Sequence, residues 1–522
     1  MNKSEEILTR LHARDRECFH LEKAIAVLQW DQETCLPPQG VEERSEQLAL
    51  LEKIAHQRLT EPETGRLLAE LGSTRDNPRG DEGLAEIERD FLRVLRRKYD
   101  RAIKLPVDFV AAAARAEGLS QPAWAQARQN NDFAAFLPHL KTMIDVARKK
   151  AEFWGFGDRA QSEIQGQPGD RAQTLYDGLL DIYEPGMSAA EIDAVFTPLR
   201  ERLVSLLKKI ERCPPPDTGF LNQRFDPEKQ ALFNQRLMDY LGFDRRRGRL
   251  DTSAHPLTTT LGSHDIRITT RYFPDNLLSG VFSVIHESGH AFYEMGFAPE
   301  LRGTSLADGA SMALHESQSR FWENVVGRGR PFWEGFFPVL RETFPEQLGG
   351  VRAEAFYRAV NQVKPSLIRV DADEVSYALH IILRFELEKR LISGELEAER
   401  LPAVWRDYSR EYLGVESETD ADGVLQDVHW SMGSFGYFPS YALGNLYGLQ
   451  ILRNIKSDIP NFESMVAGGK FAPLRDWLND HIYRWGCRLE PAELLQKITG
   501  EKLSVIPFVE YIEEKYTKLY GC

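Results

Sequence analysis

The chain has 522 residues, of which 42% are hydrophobic and 28% are charged, an ordinary composition for a soluble globular protein. Its net charge of −14 argues against a nucleic-acid partner, because a phosphate-binding surface usually shows as a basic excess. No apolar stretch approaches the length of about 18 residues that a membrane span needs, so no membrane partner is predicted.

The compartment is predicted from the first residues and from the cysteines. Residues 1–10 are charged and amphipathic, and they lack the basic start and apolar run of a secretory signal. Five cysteines are scattered singly along the chain, which favours reduced thiols over a disulfide framework. Both observations predict a cytoplasmic protein.

The N-terminal part of the chain has the pattern of successive helices. Apolar positions recur at helical spacing through residues 1–212, for example in segments 21–30 and 136–146. Residues 213–219 contain three consecutive prolines and cannot continue a helix, so they form a linker or a long turn. We predict a mainly α fold built as one unit, 1–522, with possible sub-regions 1–212 and 220–522.

One segment departs from the helical pattern. In residues 265–272, isoleucine and threonine alternate with arginine and threonine, which is the period of a half-buried strand. The segment predicts a small sheet just before the next helix. An exposed edge of this strand would pair with an extended peptide; the alternative is an ordinary strand without substrate contact.

The next helical pattern contains His286-Glu-Ser-Gly-His290. With 12 histidines in the chain, only about 0.02 copies of this spacing with its glutamate are expected by chance. Helical side chains four residues apart share a face, so His286 and His290 can bind one ion while Glu287 faces its water. This spacing predicts hydrolysis, because Zn²⁺ polarises a carbonyl and lowers the pKa of bound water to about 7, and the glutamate accepts the proton. A pair of core histidines is the alternative.

A catalytic zinc site normally has three protein ligands, so a further ligand is expected. The helical pattern in residues 311–324 places Glu316 where a second helix beside the first would aim a carboxylate at the same point. His315 is the alternative ligand, but neighbouring helical side chains diverge by about 100°, so only one of the two should face the ion. Two imidazoles and a carboxylate also accept Co²⁺ or Mn²⁺, which leaves the native metal open.

Four motifs follow one another along the chain: His286-Glu-Ser-Gly-His290, His315-Glu-Ser-Gln318, Ile368-Arg-Val-Asp-Ala-Asp373 and Gly423-Val-Leu-Gln-Asp-Val-His-Trp430. This ordered set resembles the carboxypeptidase Taq family of metallocarboxypeptidases. The resemblance extends to residues 28–34 and 508–515, so it covers nearly the whole chain. It implies a large, elongated helical zincin fold with a deep groove and a small β-sheet beside the metal helix. It also implies a homodimer that removes single residues from peptide C-termini with broad specificity.

Site residues can be carried over from this resemblance position by position. It implies that His286, His290 and Glu316 bind the metal and that Glu287 is the general base. It also implies that Arg369 recognises the free C-terminal carboxylate of the peptide, because a guanidinium can bind one through two parallel hydrogen bonds. Without the resemblance, an arginine followed so closely by Asp371 and Asp373 would be interpreted as part of a structural ion pair.

The last motif leads into a segment, 426–441, that is rich in groups able to stabilise an oxyanion. We predict His429 and Tyr437 as the catalytic donors and Tyr441 as a substrate contact. The alternative for each tyrosine is a buried aromatic ring with a satisfied hydroxyl. His255 matches another recurring element of the family and is expected near the substrate. Leu257 stands where family members often have phenylalanine, which leaves the pocket shape there open.

Histidine ligands usually donate their second ring nitrogen to an acceptor. Asp427 and Asp373 are the candidates for this role in the sequence, although Asp373 equally suits the N-terminal cap of a predicted helix over 375–392.

The sequence therefore predicts a metal-dependent carboxypeptidase whose partners are peptide substrates. One alternative is a helical-groove metallo-oligopeptidase that cuts internal bonds. Another is a noncatalytic helical scaffold with a degenerate site, which the intact set of His286, Glu287, His290 and Glu316 disfavours.

Overall fold

Helices make up most of the chain in the computed structural model, which describes residues 2–155 and 175–521. The N-terminal helices are α1 Lys3–Thr34, α2 Val41–Thr60, α3 Pro62–Glu70, α4 Glu86–Lys104, α5 Val107–Asn130, α6 Phe133–Trp154, α7 Leu175–Leu180, α8 Ala189–Ile210 and α9 Pro227–Leu241. The helices after the sheet are α10 Leu277–Met295, α11 Met312–Arg320, α12 Arg330–Thr343, α13 Pro345–Leu348, α14 Ala353–Val360, α15 Tyr377–Ser393, α16 Leu401–Leu413, α17 Pro439–Asp458, α18 Phe462–Ala467, α19 Ala472–His481, α20 Pro491–Thr499 and α21 Ile506–Tyr520. None of the described helices is long and apolar enough to cross a membrane.

The start of the helix with the His-Glu-x-x-His motif is fixed by a side-chain cap. The side chain of Asn276 accepts a hydrogen bond from the backbone N–H of Ser279, which satisfies one of the free donors at the first turn of α10. The helix is apolar on nearly every side and is buried along most of its length. It therefore crosses the interior of the protein, where its polar residues are shielded from solvent.

Three strands form one small sheet that packs on α10. They are β1 Gly248–Thr252, β2 Thr258–Gly262 and β3 Asp265–Thr270, in the order β1-β3-β2. The predicted strand is confirmed as β3, whose Ile266 and Ile268 are fully buried. The prediction of an exposed edge for this strand is wrong, because β3 pairs in parallel with β1 and antiparallel with β2. The edge strand nearest in sequence to the metal helix is β2.

The hydrophobic core has two parts. The main core runs from α5 to α21 and includes Ile210 and Phe225 on either side of the proline-rich segment 213–219. A smaller core joins α1, α3 and α4 to residues 298–306, which connect α10 to α11. The N-terminal helices thus pack against the connection between the two helices that carry the metal motifs. The predicted mainly α fold with a small sheet beside the metal helix is confirmed.

Buried polar contacts reinforce this junction. Asp15 of α1 is almost fully buried and accepts a hydrogen bond from the backbone N–H of Ser305 at 2.8 Å. The hydroxyl of Ser305 donates to the same carboxylate, and Lys98 of α4 donates to that hydroxyl at 3.2 Å. Since buried polar groups are costly without partners, these bonds fix the path of the connection between α10 and α11.

Candidate active site

Helices α10 and α11 approach each other closely at a glycine. A Cβ atom at Gly289 would lie 2.6 Å from the backbone oxygen of Gln318, so any larger residue would push α11 away. Helix α17 approaches α11 from another side in the same way, since a Cβ at Gly444 would lie 2.9 Å from Cβ of Glu316. The two glycines let three helices converge around one carboxylate.

The predicted metal ligands lie together at this convergence. The Nε2 atoms of His286 and His290 are 3.7 Å and 3.4 Å from Oε2 of Glu316. One ligand atom from each of the three residues lies within 4.8 Å of the other two. Two imidazole nitrogens and one carboxylate oxygen at these separations fit the ligand set of a divalent transition metal.

The carboxylate of this set is ionised. Burial pushes the pKa of Glu316 upward, but the neighbouring Arg320 guanidinium and the two imidazoles outweigh burial and hold the pKa well below its usual range. Arg320 also donates a hydrogen bond from Nε to Oε1 of Glu316 at 2.7 Å, which leaves Oε2 facing the histidines. The site therefore offers one ionised carboxylate oxygen and two imidazole nitrogens as ligand atoms.

Each histidine has a partner on its other ring nitrogen. Nδ1 of His286 lies 2.9 Å from Oε2 of Glu323, and Nδ1 of His290 lies 2.6 Å from Nδ1 of His315. Nε2 of His315 in turn lies 2.8 Å from Oε1 of Glu294. Nδ1–H of His286 donates to Glu323, Nδ1–H of His290 donates to His315, and Nε2–H of His315 donates to Glu294. The Nε2 atoms of His286 and His290 are then left with free lone pairs for a metal.

These partners differ from the two aspartates that the sequence suggested. Asp373 instead holds the turn that precedes α15, since its Oδ1 accepts from the backbone N–H groups of Val375 and Ser376 at 2.9 Å and 3.0 Å. Asp427 binds arginine side chains away from the metal histidines. Both predictions of a partner for the histidines were therefore wrong, and the N-cap of α15 is Ser376, without a side-chain cap.

Glu323 was missed because it lies in the part of the predicted helix, 311–324, that is not a regular α-helix. Residues Phe321–Gly327 form a π-helical segment directly after α11. The wider turn brings Glu323 back to His286, and Arg320 and Arg328 contact its carboxylate at 3.2 Å and 3.1 Å. The available signal in the sequence was the series of charged residues Glu316, Arg320 and Glu323, spaced four and three residues apart.

Glu287 faces the sheet as well as the histidines. It is buried, and its Oε2 accepts a hydrogen bond from the hydroxyl of Thr258 on β2 at 2.6 Å. Burial raises the pKa of Glu287, although His286 and the Thr258 hydroxyl act in the opposite direction. A raised pKa makes the carboxylate a stronger proton acceptor. Thr258 had no signal in the sequence, because its role depends on the pairing of the strands.

A second buried cluster surrounds Arg369. The guanidinium donates from Nε to Oδ1 of Asp427 at 3.0 Å and from Nη1 to the hydroxyl of Tyr377 at 3.2 Å. Arg384 donates to the other oxygen of Asp427 at 2.7 Å. The ion pair of Arg369 is thus made with Asp427 and not with Asp371 or Asp373. Two guanidinium groups share one carboxylate, which leaves a positive charge in excess.

The remaining predicted residues pack on this second cluster. Nε2 of His429 lies 3.3 Å from the hydroxyl of Tyr441, whose ring stands 4.9 Å from the guanidinium of Arg369. The ring of Tyr437 stacks on His429 with centroids 5.5 Å apart. Burial, assisted by Arg369, lowers the pKa of His429 to about 3, and burial raises the pKa of Tyr437. Both side chains are therefore neutral near pH 7.

Tyr377 and Arg320 join the two clusters. The ring of Tyr377 lies 4.1 Å below the guanidinium of Arg320, which binds Glu316, while its hydroxyl accepts from Arg369. Tyr377 was missed in the sequence because the first residue of a long helix carries no motif. His255, by contrast, lies in the loop between β1 and β2 with an exposed side chain, and its role stays a prediction.

Changing Glu323 to Gln is expected to weaken metal binding by about 10- to 100-fold, because an amide holds the Nδ1–H of His286 less firmly than a carboxylate does. Competition with a chromogenic chelator measures the dissociation constant. Glu346→Gln, at an exposed position on α13, is the control and should leave it unchanged. Equal metal affinity in both variants would show that Glu323 does not orient His286.

Comparison with known proteins was decisive for the family. A model of the carboxypeptidase Taq (M32) metallopeptidases matches residues 10–516. The chain belongs to this family. It is 42% identical to thermostable carboxypeptidase 1 of Thermus thermophilus over 97% of both chains, and 36% identical to carboxypeptidase 1 of Bacillus subtilis over 98% of this chain and 99% of that one. The crystal structure of an M32 carboxypeptidase from Deinococcus radiodurans covers 99% of this chain and all of its own, with a TM-score of 0.93 and 37% identity.

Membership of the M32 family confirms the predicted class of activity. The protein is a metallocarboxypeptidase, a hydrolase that acts on peptide bonds and needs a divalent metal. The resemblance stated from the four motifs is confirmed over nearly the whole chain.

Proposed function

We propose that this M32 metallocarboxypeptidase releases single C-terminal residues from peptides with broad specificity, using Zn²⁺ held by His286, His290 and Glu316. The observation that carries the proposal is the link between two buried clusters. The three predicted metal ligands form one, and the positively charged cluster around Arg369 forms the other; Arg320 and Tyr377 join them. Such an arrangement suits a substrate whose last amide and free carboxylate are held together.

The donor set is the basis for the choice of metal. Two imidazoles and one carboxylate are typical of catalytic zinc sites, although they also accept Co²⁺ or Mn²⁺. When bound, the ion supplies Lewis-acid chemistry, in which a carbonyl is polarised and the pKa of a water molecule falls. Glu323 and His315 would keep the two imidazoles oriented toward it.

We propose Glu287 as the general base. Its raised pKa and its burial suit a carboxylate that takes a proton from the attacking water and then delivers it to the leaving amine. The hydroxyl of Thr258 donates to Oε2 of Glu287, so we propose that Oε1 accepts the proton of the water.

His429 and Tyr437 are proposed as donors to the oxyanion that forms during attack. Their shifted pKa values support this role, because a neutral imidazole and a neutral phenol both keep an N–H or O–H to donate. Tyr441, which contacts His429 and stands over Arg369, is proposed to line the position of the terminal carboxylate.

Arg369 is proposed to bind that carboxylate. A guanidinium has five N–H donors, of which Asp427 and Tyr377 engage at least two in this structure. Arg369 and Arg384 carry two positive charges, and Asp427 supplies one negative charge. The carboxylate of an incoming peptide therefore neutralises the remaining buried positive charge. All the proposed contacts are to main-chain groups or to the terminus of the peptide, which supports broad specificity. His255 is proposed to face the substrate from the β1–β2 loop.

Removal of the metal tests the cofactor. We expect the chelator-treated chain to lose its peptidase activity and to regain it with about one Zn²⁺ per chain, or with Co²⁺ or Mn²⁺. Elemental analysis with an activity titration gives the stoichiometry. Full activity in a chain shown to be free of metal would contradict the proposal.

We also propose a homodimer located in the cytoplasm. The dimer is supported by the family resemblance, and the compartment by the four described cysteines, which form no disulfide among the described residues. Analytical ultracentrifugation should give the mass of two chains.

A further inference from the structure

Glu388 is a fully buried carboxylate in the middle of α15. Its Oε1 accepts a hydrogen bond from the indole N–H of Trp430 at 2.8 Å. Its Oε2 accepts from the hydroxyl of Tyr176 on α7 at 2.8 Å and from the backbone N–H of Gly436 at 3.0 Å. A buried charge with several donors is held in one position, since each lost bond would leave a group without a partner.

Two of these donors bracket one turn of the chain. Trp430 directly follows His429, and Gly436 directly precedes Tyr437. The backbone between them closes on itself, since the N–H of Ser434 donates to the carbonyl of His429 at 2.9 Å. The segment 429–437, called the donor turn below, therefore has both of its ends attached to the single carboxylate of Glu388.

The donor turn is also confined from the opposite side. Gly436 has φ +87°, a left-handed conformation that favours glycine, and a Cβ there would lie 2.9 Å from the backbone of Leu179 and Leu180 in α7. Tyr176, on the same short helix, supplies the third donor to Glu388. The donor turn is thus enclosed between α7 and α15. Glu388 on α15 accepts hydrogen bonds from the donor turn and from α7.

The same face of α15 holds the preceding residues. Arg384 lies one helical turn before Glu388, and it binds Asp427, two residues before the donor turn begins. Asp427 in turn binds Arg369. One helix face therefore sets both the position of the carboxylate-binding arginine and the position of the turn with His429 and Tyr437.

We propose that Glu388 is a positioning residue, which holds the donor turn so that His429 and Tyr437 face the reacting carbonyl. It acts through the turn and does not touch the substrate. The inference rests on the proposed roles of His429 and Tyr437, but the attachment of the turn to Glu388 can be measured without them.

Glu388→Gln is the informative change, because it keeps the shape of the side chain. One of the two acceptor oxygens becomes an NH₂ group, which faces either Trp430 or the pair of Gly436 and Tyr176, so at least one donor loses its acceptor. Experiments should be run well above the pKa of about 7 that burial gives Glu388, so that the wild-type carboxylate is ionised.

Hydrogen exchange measures the attachment directly. In the metal-loaded protein, Glu388→Gln is expected to speed amide exchange in peptides covering the donor turn by about tenfold, while peptides from α10 stay unchanged. Asp90→Asn is the matched control, because Asp90 is likewise a buried carboxylate, and its ion-pair partners are Arg79 and Arg488, outside the donor turn. Unchanged exchange in the donor turn of Glu388→Gln would overturn the proposal.

Kinetics then test the connection to catalysis. Glu388→Gln is expected to lower kcat by about 10- to 100-fold with KM changed by less than about threefold. The donors bind the oxyanion only in the transition state, so displacing them slows the reaction and does not weaken substrate binding. In a background that carries both His429→Gln and Tyr437→Phe, the same change should cost less than about threefold, since neither donor remains to be displaced. An equal loss in both backgrounds would overturn the proposal.

The two failures are distinguishable. If Tyr437→Phe and His429→Gln alone leave kcat unchanged, the oxyanion role is wrong, and the exchange measurement still decides whether Glu388 holds the turn. If Glu388→Gln does not fold, Trp430→Phe removes the indole N–H donor and keeps an aromatic side chain, and it is expected to increase exchange in the same peptides by a smaller factor. No increase with Trp430→Phe would overturn the proposal.

Discussion

Replacing Glu287 with Gln is expected to lower kcat by about 10³-fold while the chain keeps its metal. The amide cannot accept the proton of the attacking water, but it has the size of the carboxylate and can still accept from Thr258. Its neighbour His286 keeps its contact with Glu323, and Glu316 keeps its hydrogen bond from Arg320. The measurement is the steady-state rate on a short peptide, with metal content determined on the same sample.

Two neighbouring variants sharpen this prediction. Thr258→Val removes the hydrogen bond to Glu287 and is expected to reduce kcat by about tenfold, whereas Thr258→Ser keeps the hydroxyl and should remain close to wild type. A wild-type rate in metal-loaded Glu287→Gln would remove Glu287 as the base.

Replacing Arg369 with Lys is expected to lower kcat/KM by about 100-fold on peptides with a free C-terminus. Lysine keeps the positive charge but loses the planar fork that binds Asp427 and that we propose binds the terminal carboxylate at the same time. Amidated peptides should already be poor substrates of the wild-type enzyme. The ratio of kcat/KM for the free acid to that for the amide is therefore expected to fall toward one.

Arg488→Lys is the matched control for this change. Arg488 also forms an ion pair with a buried aspartate, since its Nε lies 2.9 Å from Oδ2 of Asp90. The same exchange of residue types there should leave the preference for free acids intact. An unchanged preference in Arg369→Lys would show that another group recognises the terminus.

The parts of the site that depend on local spacing were predictable from the sequence. His286, Glu287 and His290 share one helix, so the period of the helix alone brings them to one face. Glu316 required two helices to pack side by side, which Gly289 permits because a Cβ there would meet the backbone of α11.

The parts that depend on pairing between distant segments were not predictable. The alternating pattern of 265–272 indicated a strand, but its place in the centre of the sheet depends on where β1 and β2 pair. The acidic neighbours of Arg369 in sequence suggested an ion pair with Asp371 or Asp373, whereas the structure pairs it with Asp427 from a separate loop. Asp371 and Asp373 lie only two and four positions from Arg369, but closeness in sequence did not bring either carboxylate to its guanidinium.

The groups that orient the site were the hardest to predict. Glu323 reaches His286 because the chain widens into a π-helical turn, a feature without a clear sequence signature. Glu388 and Tyr377 lie on a helix whose pattern indicated only burial. Their functions depend on which loops pack against that helix.

The central claim is that the enzyme removes one residue at a time from a free peptide carboxylate. A timed digest of one mixed-sequence peptide, supplied both as the free acid and as the C-terminal amide and analysed by mass spectrometry, tests it most directly. We predict a ladder of single-residue losses from the free acid and almost no product from the amide. Internal fragments, or cleavage of the amide at the rate of the free acid, would contradict the account.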